Sequence, residues 1–313
     1  MSGAGAVLGF AADHDAPIPY LPRVRDYYQA LGYGAPYRWA HYAEVPFHPL
    51  GKPLAECRVA LITTAAPYRP DRGDQGPGAP YNGAAKFYQV YSGDTAVDHD
   101  LRISHVAYDR AHTSAEDSGT WFPLPRLRAK AADGRIGLTR HFHGAPTNRS
   151  QRTTLDQDCP ELLARCRADE ADAAILVPNC PVCHQTVSLA ARYLETHGVP
   201  TVVMGCAKDI VEHVGVPRFL FSDFPLGNSA GRPCDPASQS LTLELALKVL
   251  EAAPAARTTV QSPLRWSGDP SWKLDYCNVD RLPADEISRR RAEFDREKAA
   301  ARTLRDRTGD GAG

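Results

Sequence analysis

The sequence predicts an α/β protein with a parallel, doubly wound (Rossmann-like) sheet, an N-terminal arm and a charged C-terminal helix. Two continuous apolar runs, at residues 57–63 and 173–178, have the character of strands that are buried on both faces. Segments with one apolar helical face alternate with such runs between residues 159 and 253. This alternation is typical of βαβ units that share a parallel sheet.

The first half of the chain carries short elements with clear end signals. Residues 23–32 predict a helix, because Gly32 suits the position just after a helix end. The apolar, β-branched run at 57–63 predicts the first strand, and residues 101–107 predict a second. The other segments in this half are a loop at 70–83, a helix at 123–132 that Gly134 ends, and a polar, turn-like stretch at 144–157.

The second half carries the clearest pattern. It predicts helices over 160–168, 183–196 and 209–213, and strands over 173–178, 201–204 and 218–221. Asp235 before Pro236 is a good N-cap for the next helix, on which Leu241, Leu245 and Val249 form an apolar stripe. From residue 254 to 282 we predict irregular structure.

These elements suggest three regions. Residues 1–53 form an arm, residues 54–254 a catalytic α/β domain, and residues 255–313 an extension that ends in a charged helix over 284–305. This helix has only a thin apolar stripe, so it either lies on its own domain or forms a dimer contact.

Composition narrows the function classes. The chain has 313 residues, of which 43% are hydrophobic and 23% charged, and a net charge of −1. These values predict a globular protein without the overall positive charge that would attract nucleic acid or an anionic membrane surface. The first residues lack the basic region of a signal peptide. We therefore expect a cytoplasmic protein, in which most of the eight cysteines are reduced and buried.

The most informative motif is a pair of cysteines where a strand runs into a helix. Cys180 and Cys183 are three residues apart, directly after the apolar strand that ends near Pro178. A helix N-terminus offers unpaired N–H groups and a positive dipole end, both of which favour a thiolate. The second thiol can then close a disulfide on the first, so this turn predicts thiol chemistry.

Other polar residues are expected beside this pair. In an open parallel sheet, ligands bind beyond the carboxyl ends of the strands. Thr63 and Thr64 follow the first strand, Asn179 precedes the cysteine pair, and Cys206 follows the strand at 201–204. We predict that these side chains line one substrate pocket.

The Cys180–Cys183 turn has four other interpretations. Attachment of c-type haem fits the string Cys-x-x-Cys-His but requires export. Zinc needs further ligands, which Cys206, His105 or His184 can supply. A glutaredoxin-like dithiol usually lies near the start of a short domain. The remaining possibility is an inert pair of thiols.

Four further stretches of the sequence are distinctive: residues 103–109 (ISHVAYD), 122–127 (FPLPRL) with 134–137 (GRIG), 171–176 (ADAAIL) and 224–233 (FPLGNSAGRP). On these motifs, which together span about residues 55–253, the sequence resembles the selenoprotein B subunits of glycine, sarcosine and betaine reductases and the selenocysteine-bearing subunit of D-proline reductase. Two departures stand out. Cys180 occupies the selenocysteine position, and Val106-Ala107 replaces a Gly-Gly pair.

The resemblance implies a reductase in which the Cys180 thiolate attacks a substrate carbon and a C–N bond is cleaved reductively. Cys183 would resolve the adduct to a disulfide, which an external dithiol restores. His105 and His184 are candidate acid–base or orienting groups. Asp109 and Asn228 are candidate substrate-binding residues, although Asn228 also suits a tight turn.

The resemblance also bears on partners. In that family, a pyruvoyl group on a partner subunit usually activates the substrate amine, and nothing in this sequence supplies such a group. We therefore expect an amino-acid-like substrate, no cofactor or metal in this chain, and a partner subunit or a homo-oligomer. Two alternatives stay open: a non-redox cysteine enzyme (racemase, lyase or hydrolase) with His105 or His184 as base, and a zinc-binding partner subunit.

Overall fold

The computed structural model describes residues 15–103, 105, 107–147 and 150–307, which fold around one central sheet. In chain order, the strands are β1 (Arg58–Thr63), β2 (Ala66–Pro67), β3 (Tyr91–Asp94), β4 (Leu101–Arg102), β5 (Gly137–Leu138), β6 (His141–Gly144), β7 (Ala173–Val177), β8 (Thr201–Gly205), β9 (Arg218–Phe221) and β10 (Thr258–Gln261). The helices are α1 (Tyr20–Ala30), α2 (Leu124–Ala132), α3 (Gln151–Thr153), α4 (Cys159–Ala168), α5 (Pro181–Thr196), α6 (Lys208–Val214), α7 (Pro236–Ala252) and α8 (Ala284–Arg307). Within these residues, no helix is both long enough and apolar enough to cross a bilayer.

The main sheet confirms the predicted fold class. Its strand order is β10-β9-β8-β7-β1-β6-β3, and β5 pairs with the start of β1. The described pairings in this sheet are parallel except for that of β3 with β6. The sheet is therefore mainly parallel, with an antiparallel strand at one edge.

The central strands are buried on both faces, as their continuous apolar runs predict. On β1, Val59 and Leu61 join one core while Ala60 and Ile62 join the other. Side chains of α2 and α7 complete the first core, and side chains of α4 and α5 complete the second. Successive residues of a strand point to opposite faces, so helices on both sides must cover them.

The two central strands send their connections to opposite faces of the sheet. The chain leaving β1 returns through α2, which packs in the first core, whereas the chain leaving β7 returns through α5, which packs in the second. Because β1 and β7 are neighbours, their connections diverge at their adjoining carboxyl ends. This is the topological switch point, where open α/β sheets bind ligands.

The arm and the extension pack together at this end of the sheet. Tyr20 of α1 meets Tyr276 edge to face, with ring centroids 5.1 Å apart. Phe294 of α8 packs against Tyr28 at 5.5 Å. The same apolar cluster contains Cys206, which follows β8. The chain outside the predicted catalytic domain therefore contributes to the wall beside the strand ends. The division into three regions stays a prediction.

Several predicted elements are confirmed and others are wrong. Asp235 caps α7 by accepting a hydrogen bond from the Ser238 N–H at 3.0 Å, and Gly32 follows α1 with a φ of +81°. The strand predicted over 101–107 is reduced to β4, which pairs with β2 in a separate small sheet. Ser104 and Val106 lie outside the described residues.

Three corrections concern segments whose conformation depends on tertiary contacts. The region predicted as turn-like at 144–157 contains α3 and a wide helical turn at Thr154–Asp158 that runs into α4. The stretch predicted as irregular after residue 254 contains β10, which pairs with β9. The predicted stripe of α7 is confirmed only in part: Val249 is buried and Leu245 packs against the first core, but Leu241 is 41% exposed. The helix also buries Leu243, Ala246, Leu247 and Leu250.

Candidate active site

The site is built on the turn between β7 and α5. Cys180 is the N-cap of α5 in an extended conformation, and Pro181 occupies the first helical turn, where a missing N–H costs nothing. The Cys180 Sγ accepts a hydrogen bond from the Cys183 N–H at 3.2 Å. The two cysteines form a disulfide, with Cα atoms 4.9 Å apart. Their exposed fractions are only 3% and 0%.

His105 lies beside this pair. One of its ring nitrogens is within 4.8 Å of both sulfurs. Its Nε2 contacts the Thr147 Oγ1 at 3.1 Å, and that hydroxyl lies 3.3 Å from the Cys183 Sγ. Burial, together with the charges of Lys86 and Arg110, lowers the pKa of His105 to about 3. The imidazole is therefore neutral near pH 7, and its buried Nδ1 has no hydrogen-bond partner among the described residues.

His184 has a different environment. Its Nδ1–H donates to the Cys180 carbonyl at 2.7 Å, and its Nε2 accepts from the N–H groups of Cys206 (2.9 Å) and Ala207 (3.2 Å). Burial lowers its pKa to about 4, which keeps the ring neutral. Both nitrogens are used, so of the two roles predicted for His184, these contacts favour orienting the cysteine turn over transferring protons.

A glycine allows this close packing. A Cβ atom on Gly205 would lie 2.8 Å from the Cδ2 of His184. Such a contact is too short for a real side chain. The end of β8 must therefore be glycine for the His184 imidazole to lie between the cysteine turn and the segment that follows β8.

The residues predicted from the first strand and the cysteine turn have distinct surroundings. The Thr64 hydroxyl oxygen accepts from the Asn179 N–H at 3.1 Å, which ties the ends of β1 and β7 together. The Thr63 hydroxyl oxygen accepts from the Ala65 N–H at 3.1 Å. The Asn179 side chain is fully buried, and neither its Oδ1 nor its Nδ2 has a partner within the described part of the chain. The Asn179 amide therefore has both its donor and its acceptor capacity left to bind a ligand.

The predicted residues beyond β8 form a wall next to the turn. The Cys206 Sγ lies 3.7 Å from the Ser229 Oγ, and that hydroxyl donates to the Pro178 carbonyl at 2.8 Å. Burial raises the pKa of Cys206 to about 12, so this thiol is protonated near pH 7. Asn228 donates to the Thr113 Oγ1 at 2.6 Å, a contact that suits the turn-shaping role.

Asp109 is tied to its own loop. It accepts hydrogen bonds from the N–H of Ala111 and the imidazole of His112, the latter at 3.1 Å. The other side of the His112 ring is 3.2 Å from an oxygen of Asp275 in the extension. Sequence reasoning missed His112, which links the loop to the C-terminal extension through two carboxylates.

This link is expected to make stability depend on pH. The hydrogen bond with Asp109 raises the pKa of His112 above its ordinary value. The contribution of His112 is then fully present below about pH 6.5 and is lost as pH rises through the folded-state pKa. We expect His112→Gln to lower the free energy of unfolding by about 1–2 kcal/mol at pH 5.5. In denaturant titrations, the difference in the free energy of unfolding between the wild type and the variant should shrink as pH rises. A difference that is constant with pH would contradict a stabilising contact that depends on the charge of His112.

Sequence reasoning also missed Thr147, which contacts both His105 and Cys183. It follows β6, a strand that contains two histidines and was not predicted. Had β6 been recognised as a neighbour of β1, its carboxyl end would have indicated Thr147 by the same rule that indicated Thr63 and Thr64.

The fold and the site together define an α/β protein with a buried, disulfide-bonded cysteine pair at the switch point of a mainly parallel sheet. The chain is 27% identical over 223 residues to the D-proline reductase subunit gamma of Acetoanaerobium sticklandii, a match that covers 70% of this chain and 88% of that one. It is 25% identical over 228 residues to the glycine reductase complex component B subunit gamma of Symbiobacterium thermophilum, with coverage of 70% and 51%. The resemblance predicted from the motifs is confirmed: the chain is similar in sequence to the gamma subunits of these reductases.

Two further comparisons are negative. No family model matches the chain, and no solved structure matches it.

Proposed function

We propose that the chain is the thiol-bearing subunit of a dithiol-dependent reductase that acts on an amino-acid-like substrate. The observation that carries this proposal is the Cys180–Cys183 disulfide at the start of α5. The Cys180 sulfur accepts a hydrogen bond from the Cys183 N–H. In the reduced state, the same N–H and the helix dipole favour a thiolate at Cys180. Cys180 is thus the nucleophile and Cys183 the resolving thiol.

The reaction balances with two thiols and no other electron source. The Cys180 thiolate forms a C–S bond, and the substrate nitrogen leaves with the C–N electron pair and takes a proton. Cys183 then attacks the Cys180 sulfur, and the substrate carbon leaves with the C–S pair and is protonated. The substrate gains two electrons and the dithiol becomes a disulfide, which an external dithiol reduces by exchange.

The surroundings of the pair support a polar substrate. The buried amide of Asn179 has a donor and an acceptor to offer next to Cys180. Buried polar groups are normally satisfied, so a substrate that pairs with this amide gains those hydrogen bonds. Lys86 and Arg110 act electrostatically on His105 and add positive charge on that side of the site, which suits a carboxylate.

A partner subunit fits this proposal. The two relatives are named as subunits of D-proline reductase and of a glycine reductase complex. The partner would activate the substrate nitrogen as a leaving group. Both sulfurs are buried, so substrate access also requires movement of the segments that cover them.

Trapping the thiol state tests the proposal. Reduced protein is incubated anaerobically with candidate amino acids, either free or as Schiff bases with pyruvate, and is then alkylated and weighed intact. We expect a substrate-dependent loss of two alkylation sites, assigned to Cys180 and Cys183 by peptide mapping. Sustained product formation with no reductant and an unoxidised pair would instead support the non-redox cysteine enzyme.

A further inference from the structure

We propose that the reduced chain binds one zinc-class divalent ion through the thiolates of Cys180 and Cys183 and the imidazole of His105. The ligand atoms of these three residues already lie within 4.8 Å of one another. Tetrahedral zinc, with Zn–S at about 2.3 Å and Zn–N at about 2.0 Å, needs such atoms about 3.5–3.8 Å apart. Modest side-chain rotations of the opened dithiol meet this requirement, and sulfur with imidazole nitrogen is a donor set that suits zinc.

The hydrogen bonding of His105 is the second observation that indicates a ligand. Its Nδ1 is buried and unpartnered among the described residues, while its Nε2 contacts Thr147. An unsatisfied buried nitrogen costs free energy. We assign Nδ1 as the ligand atom because it is the ring nitrogen whose hydrogen-bonding position is vacant, and a bound metal would satisfy it. Metal-bound histidines typically donate their other N–H to a fixed acceptor. Here the Thr147 hydroxyl fills that position, and it also reaches the Cys183 sulfur at 3.3 Å.

The ligand set has three members. Within the described ranges, His184 and Cys206 do not join this group, because the His184 nitrogens bind backbone groups and the Cys206 sulfur faces Ser229. Three protein ligands leave a fourth tetrahedral position for water or a substrate atom, which is the arrangement of an open zinc site.

The metal and the disulfide exclude each other. On binding, each thiol releases its proton to solvent and its sulfur bonds to the metal, with no electron transfer. The disulfide has no thiolate to offer, so it must first take two electrons from an external dithiol or a phosphine. A bound ion therefore keeps the pair reduced and withholds it from nucleophilic chemistry. This inference does not depend on the substrate or on the proposed reductase activity.

Metal titration of the two redox states tests the inference. One sample is reduced with a phosphine and desalted under argon, and the other is kept as the disulfide. Zn²⁺ is titrated against a chromophoric chelator, and Cd²⁺ is followed by its thiolate charge-transfer absorbance. We expect one equivalent bound by the reduced protein and at least about 100-fold weaker binding by the disulfide form, which has the same sequence and needs no mutation. Equal binding by both states, or less than half an equivalent bound by the reduced state, overturns the proposal.

Variants then identify the ligands, with circular dichroism as the check on folding. Cys183→Ser and His105→Ala should each weaken Zn²⁺ binding by at least about 100-fold, and Thr147→Val by about 10-fold. Cys206→Ser removes a buried thiol at the next strand end and should bind like the wild type. If Cys206→Ser loses binding as strongly as Cys183→Ser, the assigned ligand set is wrong.

Discussion

Replacing Cys180 by serine is expected to lower multiple-turnover reduction by at least about 10⁴-fold. Serine is not ionised near neutral pH and cannot form a disulfide, so both the attack and its resolution are lost. Cys183→Ser should also stop turnover, but it leaves the first covalent step intact. Intact mass after one turnover should therefore reveal a substrate adduct on Cys183→Ser and none on Cys180→Ser.

A surface thiol provides the matched control for this pair. Cys234 is exposed, so Cys234→Ser tests for general effects of removing a thiol and should retain wild-type turnover. Full multiple-turnover activity in Cys183→Ser would contradict the resolving role of Cys183, whereas an adduct on Cys180→Ser would contradict the nucleophile assignment.

The largest effect on stability is expected at the far end of α5, where Glu195 and Arg218 form a fully buried ion pair. The Arg218 Nη1 donates to the Glu195 Oε1 at 2.7 Å, and the two side chains are 1% and 0% exposed. Glu195 also accepts from the backbone N–H groups of Thr201 and His48. Glu195→Gln leaves the Arg218 charge buried without its partner and should lower the free energy of unfolding by about 3–5 kcal/mol.

An exposed pair of the same chemistry is the control. Arg165 donates to Glu161 on α4 at 2.7 Å, with 34% and 49% of the side chains exposed. Glu161→Gln should cost no more than about 0.5 kcal/mol, because solvent screens the pair. Urea titrations of both variants give the comparison. Equal costs for the two substitutions would mean that burial does not govern the Glu195–Arg218 interaction.

These two sites show how α5 serves the protein at both ends. Its start presents the cysteine pair at the switch point, and its end is anchored by the buried ion pair to β8, β9 and the arm. On the face between them, Val187, Ala190, Ala191 and Leu194 are buried as the sequence predicts. The helix that carries the candidate dithiol is therefore fixed along its length. Access to the cysteine turn then depends on motion of the segments that cover it.

Short or edge elements escaped sequence-based prediction for a physical reason. The strand β6 reads His-Phe-His-Gly and β3 reads Tyr-Ser-Gly-Asp, patterns that carry no apolar run. Their extended conformation comes from pairing with β1 and with each other. Likewise, α7 is leucine-rich around its circumference, so its apolar pattern does not decide which stripe faces the sheet. Packing rotates it so that Leu243 and Leu247 are buried while Leu241 is exposed.

The sequence by itself determined the α/β class, the central strands β1 and β7, and the position of Cys180 and Cys183 at a helix start. These features are local, because a strand buried on both faces needs a continuous apolar run and a helix start needs its capping residue. Only the tertiary structure decided that His105 and Thr147 reach the dithiol while His184 is held by backbone groups. Both come from chain segments far from residue 180. The pairing of β1 with β6 and β7 brings Thr147, which follows β6, to the cysteine turn. His105 follows β4, which pairs with β2 just after β1 and so lies near the same strand ends.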